Sequence, residues 1–225
     1  MRGIGAIIFD MDGVLVDSEP LNFEALRLVL ARYGIAYSEA DNAPFVGVTD
    51  REHFRALRAR YGLEPLESEL MRGYTELLVR LIQDGTRPMP GVPGVLQQLR
   101  EAGYRLAVAS SAAPQVIAAT LEALRIAGLF EAVVSGLEVD RGKPAPDVFL
   151  ETAQRLGLPP RACLVVEDSR NGMLAAKAAG MPCVAIPCPA TRHQDFSEAH
   201  VRLAELAALP ALMAEAGRAR KGTLR

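Results

Sequence analysis

Two aspartates, Asp10 and Asp12, stand directly behind the apolar run Ala6-Ile7-Ile8-Phe9. Two further carboxylates, Glu167 and Asp168, follow Cys163-Leu164-Val165-Val166 in the same way, and Ser110-Ser111 follow Leu106-Ala107-Val108-Ala109. Short continuous apolar runs read as strands buried on both faces, as in parallel sheets. In an open parallel sheet, ligands bind beyond the carboxyl ends of the strands, near the point where strand order reverses. If these strands are neighbours, four carboxylates meet at one edge. Two carboxylates about 4 Å apart repel by roughly 4 kcal/mol at an effective dielectric of about 20, so such a group needs a cation. Oxygen-only ligands favour a hard ion, and a site that keeps waters and shares a phosphate oxygen favours Mg2+.

A phosphate bound there needs positive charge and hydrogen-bond donors. Lys143 lies in Gly142-Lys-Pro-Ala-Pro-Asp147, a loop stiffened by two prolines ahead of a helix. Ser110 can donate its hydroxyl to a phosphate oxygen, and the backbone N–H groups from Ser111 onward can help. Asp10 can attack phosphorus as a carboxylate nucleophile and form an aspartyl phosphate. Asp12, two residues on, can protonate the leaving oxygen and then activate water.

The elements that must hold these residues alternate. Val92, Val95, Leu96 and Leu99 recur at helical spacing before Gly103; Pro146 to Leu156 and Asn171 to Ala179 also read as helices, the last closed by Gly180. Val133-Val134 and Val184-Ala185-Ile186 are weaker strand candidates. Strand, helix, strand alternation implies a doubly wound α/β fold, a parallel sheet covered on both faces. From about Ser18 to Thr86 that rhythm breaks into helical patterns alone: Leu21, Ala25, Leu28 and Val29; then Phe54, Leu57 and Tyr61; then Leu70, Tyr74, Leu77, Leu78 and Leu81. Asp17 or Ser18 can cap the first of these. The expected organisation is an α/β catalytic core at 1–17 and 87–225, with a small helical cap inserted at 18–86 and a proline-rich hinge, Arg87 to Gly91. The tail from Gly217 is basic and reads as frayed.

At 225 residues, half of them hydrophobic, the chain can bury a substantial core. A formal net charge of -2 offers no general attraction to nucleic acid or membranes, so neither is an expected partner. Three cysteines without a C-x-x-C pair suit a reducing compartment. The apolar start is cut short at Asp10, and no run approaches the roughly 18 apolar residues of a membrane span. A cytoplasmic protein, a monomer or weak dimer, is expected. Asp10-x-Asp12-Gly13 is no calcium loop, because Val14 and Val16 occupy its next liganding positions. Gly3-x-Gly5 precedes its strand, so it is no dinucleotide fingerprint. His53, His193 and His200 lack zinc spacing.

Ile7-Ile-Phe-Asp10-Met-Asp12-Gly-Val-Leu-Val-Asp17-Ser-Glu-Pro resembles the opening motif of the haloacid dehalogenase superfamily. Val108-Ala-Ser110-Ser, Gly142-Lys143-Pro-Ala-Pro-Asp-Val-Phe and Val-Val-Glu167-Asp168-Ser-Arg-Asn-Gly172 resemble its other three motifs, in the right order. The resemblance implies Asp10 as nucleophile and Asp12 as general acid and base, with Ser110 and Lys143 as phosphate ligands. It also implies an Mg2+ site at Asp10, Asp12, Glu167 and Asp168: the carboxylates of Asp10 and Asp168 and the backbone carbonyl of Asp12 hold the ion, and Glu167 acts through water. A helical insert after the first motif, with Glu-Asp-Ser in the fourth, is most similar to the subgroup of β-phosphoglucomutase and small sugar-phosphate phosphatases. The mutase has a histidine where this chain has Asn22, and Lys-Asn where it has Ala113-Pro114. The mutase's cap arginine directly follows a Gly-Val-Ser segment, whereas Arg51 is displaced by one from Gly47-Val-Thr49. The expected activity is therefore Mg2+-dependent hydrolysis of a small phosphomonoester, with phosphoryl-transfer isomerisation of a sugar phosphate as the alternative. Asn22, Thr49 and Arg51 are the cap positions expected to meet substrate; Thr49, Arg51 and His53 read equally well as polar residues on a helix surface.

Overall fold

The computed structural model describes residues 3–45 and 50–218, without the side chains of residues 50, 51, 217 and 218. Six parallel strands form one sheet in the order β3-β2-β1-β4-β5-β6: β1 (Ala6–Phe9), β2 (Arg105–Ser110), β3 (Ala132–Ser135), β4 (Cys163–Glu167), β5 (Cys183–Ala185) and β6 (Val201–Arg202). The four apolar residues of β1 are fully buried, because strands pair with it on both sides and helices cover both faces. Alternation along the strands divides the core. Ile7, Phe9, Leu106, Val108, Leu164 and Val166 face one layer, while Ala6, Ile8, Ala107, Ala109, Cys163 and Val165 face the other. The first layer includes α5 (Val92–Glu101), α6 (Pro114–Ala123) and α9 (Leu209–Arg218); the second includes α7 (Asp147–Arg155) and α8 (Arg170–Ala178).

The α5, α7 and α8 segments match the helical spacing read from the sequence. Gly103 and Gly180, taken as stops, both have positive φ (89° and 69°), the left-handed conformation that ends a helix without a Cβ clash. The two-residue strand β6 was not expected; Val201 and Arg202 alone carry no strand signal.

Between β1 and α5 the described chain forms α1 (Glu19–Ala31), α2 (Glu39–Asn42), α3 (Asp50–Tyr61) and α4 (Glu67–Asp84). This is the helical cap inserted into the α/β core. Leu26 and Leu30 are buried along α1 with Ala25 and Val29, so the buried stripe is turned slightly from the expected one through Leu21 and Leu28. The two chain segments that leave and re-enter the core pair with each other. The Asp17 N–H donates to the Arg87 carbonyl (3.1 Å), the Met89 N–H donates to the Leu15 carbonyl (3.0 Å), and Val16 bridges Pro88.

Candidate active site

Strand order reverses between β1 and β4, and β1 lies between β2 and β4. Phe9 is in register with Val108 on one side and Val166 on the other, so the residues that follow emerge side by side at one edge. Asp10 leaves β1 with its N–H on the Val166 carbonyl (2.9 Å). Ser110 ends β2 with no exposed surface, and Glu167 ends β4 likewise.

The chain can turn sharply after Asp10 because Gly13 takes φ 75°. It also has no room for a side chain, since a Cβ there would lie 2.3 Å from Asp168 Oδ2. At the other wall, α8 starts at a cap. Ser169 Oγ accepts the Gly172 N–H (3.1 Å) and donates to Glu167 Oε2 (2.9 Å). The N–H groups of Asp168 and Ser169 donate to the same oxygen (3.1 and 3.0 Å). Glu167 is thus tied to the start of a helix, where backbone donors favour negative charge.

Lys143 reaches into this edge with a side chain only 6% exposed. Its ammonium donates to Asp10 Oδ1 (2.6 Å), Glu167 Oε1 (2.7 Å) and the Ala109 carbonyl (3.0 Å), which uses all three protons. Its Nζ also lies 4.9 Å from the ring centroid of Phe149. Burial works against the Lys143 charge, but Asp10 and Glu167 more than offset it, so the proton is held more tightly than usual.

Carboxylates still outnumber this one cation. Carboxylate oxygens of Asp10, Glu167 and Asp168 lie within 4.8 Å of one another, all three residues buried. Burial, with Glu167, Asp168 and Asp12 nearby, holds the Asp10 carboxyl well above the usual range despite Lys143. Burial and then Glu167 push Asp168 up to about 7. Burial also raises Asp12, against the pull of the Ser18 and Ser110 hydroxyls and of Lys143. Three converging carboxylates offering only oxygen, with one ammonium shared between two of them, fit a hard divalent cation such as Mg2+. The Asp12 carboxyl stands outside that cluster of three.

The structure therefore brings Asp10, Asp12, Ser110, Lys143, Glu167 and Asp168 to one place. Ser111 follows on the exposed side, and the Ser110 hydroxyl accepts the Ala112 N–H (3.1 Å). Asn22 is partly buried on α1. Thr49 lies outside the described residues, as does the side chain of Arg51 in the first turn of α3. His53 is engaged within the cap, its Nε2 3.0 Å from the Tyr37 hydroxyl and its ring stacked on Phe45. Ser18 does precede α1, but its side chain makes no cap hydrogen bond.

Two residues escaped the sequence reading. Cys188 Sγ donates to Asp168 Oδ2 (3.1 Å), and Thr191 Oγ1 donates to the same oxygen (3.2 Å). Both belong to the segment after β5, which pairs with β4. That strand order was the signal that could have exposed them, because a loop leaving β5 must pass the end of β4.

The haloacid dehalogenase-like hydrolase family model matches residues 7–186. Protein CbbY of Rhodobacter capsulatus is 36% identical over 215 residues, covering 90% of this chain and 94% of the relative. A phosphorylated carbohydrates phosphatase of Thermotoga maritima is 35% identical over 176 residues, covering 78% and 82%. A crystal structure of CbbY from Rhodobacter sphaeroides in complex with phosphate superposes with a TM-score of 0.84 at 29% identity, covering 92% and 96%. With its motifs at the ends of adjacent strands and most of its length matched, the chain belongs to the haloacid dehalogenase-like hydrolases.

Proposed function

We infer that this phosphoric monoester hydrolase acts on a small phosphorylated sugar or similar metabolite, requires Mg2+, and works through an aspartyl phosphate on Asp10. The observation that carries the reading is the Lys143 ammonium bridging Asp10 and Glu167 beside Asp168. That arrangement leaves a buried acidic site with one fixed cation, which suits a transferring phosphoryl group. The phosphorylated carbohydrates phosphatase supports the substrate class by likeness.

In this reading an Asp10 carboxylate oxygen attacks phosphorus while the bond from phosphorus to the sugar oxygen breaks. Asp12 gives that oxygen its proton. Burial raises the proton affinity of Asp12, which favours the protonated form this task needs. Asp12 then takes a proton from water, whose oxygen attacks the aspartyl phosphate and frees inorganic phosphate and the Asp10 carboxylate. Lys143 sets its positive charge beside the phosphoryl oxygens, and the Ser110 hydroxyl and the backbone N–H groups that follow hold them. Asp10, Asp168 and the Asp12 carbonyl would hold the ion, and Glu167 would act on it through water. When bound, Mg2+ offsets the negative charge that gathers on the phosphoryl group. Residues 18–86 form the cap, which closes over the edge and excludes water, and 1–17 with 87–225 form the core. Asn22, Thr49 and Arg51 are the cap positions assigned to substrate choice. Three free, buried cysteines suit the cytoplasm.

The test is phosphate release from a panel of sugar and polyol phosphates, with and without Mg2+, for the wild type and Asp10→Asn. Activity that needs Mg2+ and disappears in Asp10→Asn is expected; an Asp10→Asn rate within about tenfold of wild type removes the aspartyl phosphate. Glucose 1-phosphate should yield free phosphate, and glucose 6-phosphate as the main product would make the chain an isomerase.

A further inference from the structure

We propose that Thr191 and Cys188 are positioning residues that set the orientation of Asp168 for cation binding. The inference rests on Asp168 holding the ion and goes beyond it, because neither residue belongs to the four motifs.

Asp168 offers two oxygens, and the structure treats them differently. Oδ2 receives the Cys188 thiol and the Thr191 hydroxyl (3.1 and 3.2 Å), and Gly13 closes against the same oxygen. Oδ1 is thereby left for a cation. The Thr191 hydroxyl has its direction imposed. Its oxygen accepts the Cys188 N–H (3.1 Å), so its own proton turns toward Asp168. The turn that holds both residues closes on itself, with the Thr191 and Arg192 N–H groups on the Cys188 carbonyl (3.1 and 2.9 Å). Thr191 and Cys188 are buried, at 5% and 9% exposure. Little water can replace either donor. A carboxylate ligand whose second oxygen is pinned keeps its rotamer without a metal, which lowers the ordering cost when a cation arrives. Without the pins, the Asp168 carboxylate is free to rotate about χ2, and the ion must order it.

The readout is Mg2+ affinity measured by calorimetry, with the melting temperature of the metal-free chain recorded beside it. Thr191→Val and Cys188→Ala should each weaken Mg2+ binding by about tenfold or more. Thr191→Ser and Cys188→Ser keep a donor and should stay within about threefold of wild type. A merely structural role would lower the metal-free melting temperature and leave Mg2+ affinity unchanged in the folded fraction. Thr191→Val also strands the Cys188 N–H. Cys188→Ala leaves that hydrogen bond and the Thr191 hydroxyl in place, so it decides the matter if Thr191→Val does not fold. Mg2+ affinity within about threefold of wild type in Cys188→Ala overturns the assignment of Cys188, and the same result in Thr191→Val overturns that of Thr191. A wild-type chain that takes up no Mg2+ overturns the cation reading itself, and this inference with it.

Discussion

Lys143 is held by two carboxylates it did not meet in sequence, 133 residues from Asp10 and 24 from Glu167. The proposed function gives the side chain a part in chemistry beside its part in stability, and the two contributions can be separated. Lys143→Met keeps most of the apolar stem and deletes the charge that lies over Phe149. Loss of one preorganised donor aimed at a transferring group typically costs about 10²–10³-fold in rate. A fall of that size in kcat/KM is expected, and an unchanged rate would mean that another cation holds the phosphate. Glu167 would then sit fully buried without its counter-ion, which costs about 3–5 kcal/mol. A lower melting temperature in the same variant checks that contribution. Gly172 tests the same cluster from the opposite side. Alanine is the better helix former by about 1 kcal/mol, yet a Cβ at this position of α8 would fall 1.7 Å from Glu167 Oε1. Overpacking of this kind costs about 1–3 kcal/mol or more, which outweighs that gain, so Gly172→Ala should lower the melting temperature by a few degrees. An unchanged or raised value would show that Glu167 can move aside freely.

Helix α3 gives the cap its own pH dependence. His53 stacks on Phe45 at a centroid distance of 4.1 Å and meets the Tyr37 hydroxyl, and its burial pushes its pKa down to about 4. In the unfolded chain histidine titrates near about 6.5. Between those values the unfolded chain takes up a proton that the folded one refuses. The stability is fully present above about pH 6.5 and is lost as pH falls toward 4. His53→Phe keeps the stack and removes the titration. Its melting temperature should fall less steeply than that of wild type over this window, and parallel curves would assign the acid sensitivity to other groups. The strands were legible because their signal is contiguous. Ala6 to Phe9 and Cys163 to Val166 are buried on both faces, and each ends in the acids that the site uses. Position after an apolar strand was enough to gather Asp10, Ser110 and Glu167. Cys188 and Thr191 were hidden for the opposite reason. Their relevance depends on β5 lying beside β4, which is a pairing across the sheet and not a pattern along the chain. Ser18 was legible as the residue before a helix, but not that its side chain leaves the cap unmade, because only geometry decides where a hydroxyl turns.

Over the whole molecule, the apolar packing does not stop at the boundary between cap and core. One buried cluster includes Phe9, Val92 and Leu96 of the core together with Leu26, Leu30, Leu57, Leu70 and Leu78 of the cap, and α4 packs against α6. The paired segments at Leu15–Asp17 and Arg87–Met89 add a backbone tie between the two parts. A cap that shares its core in this way should not melt by itself. The chain supplies a convenient reporter, since it has no tryptophan and 5 tyrosines. Tyr33, Tyr37, Tyr61 and Tyr74 lie between β1 and α5, and only Tyr104 lies outside that stretch. Tyrosine signals therefore follow the cap, while far-ultraviolet circular dichroism follows all helices and strands. The two melting curves should coincide in a single transition. In the proposed reading Mg2+ binds at the sheet edge in the core, and it should then move both by the same amount, because a ligand of the folded state stabilises whatever unfolds with its site. A tyrosine transition at lower temperature, indifferent to Mg2+, would show that the shared cluster does not couple cap to core.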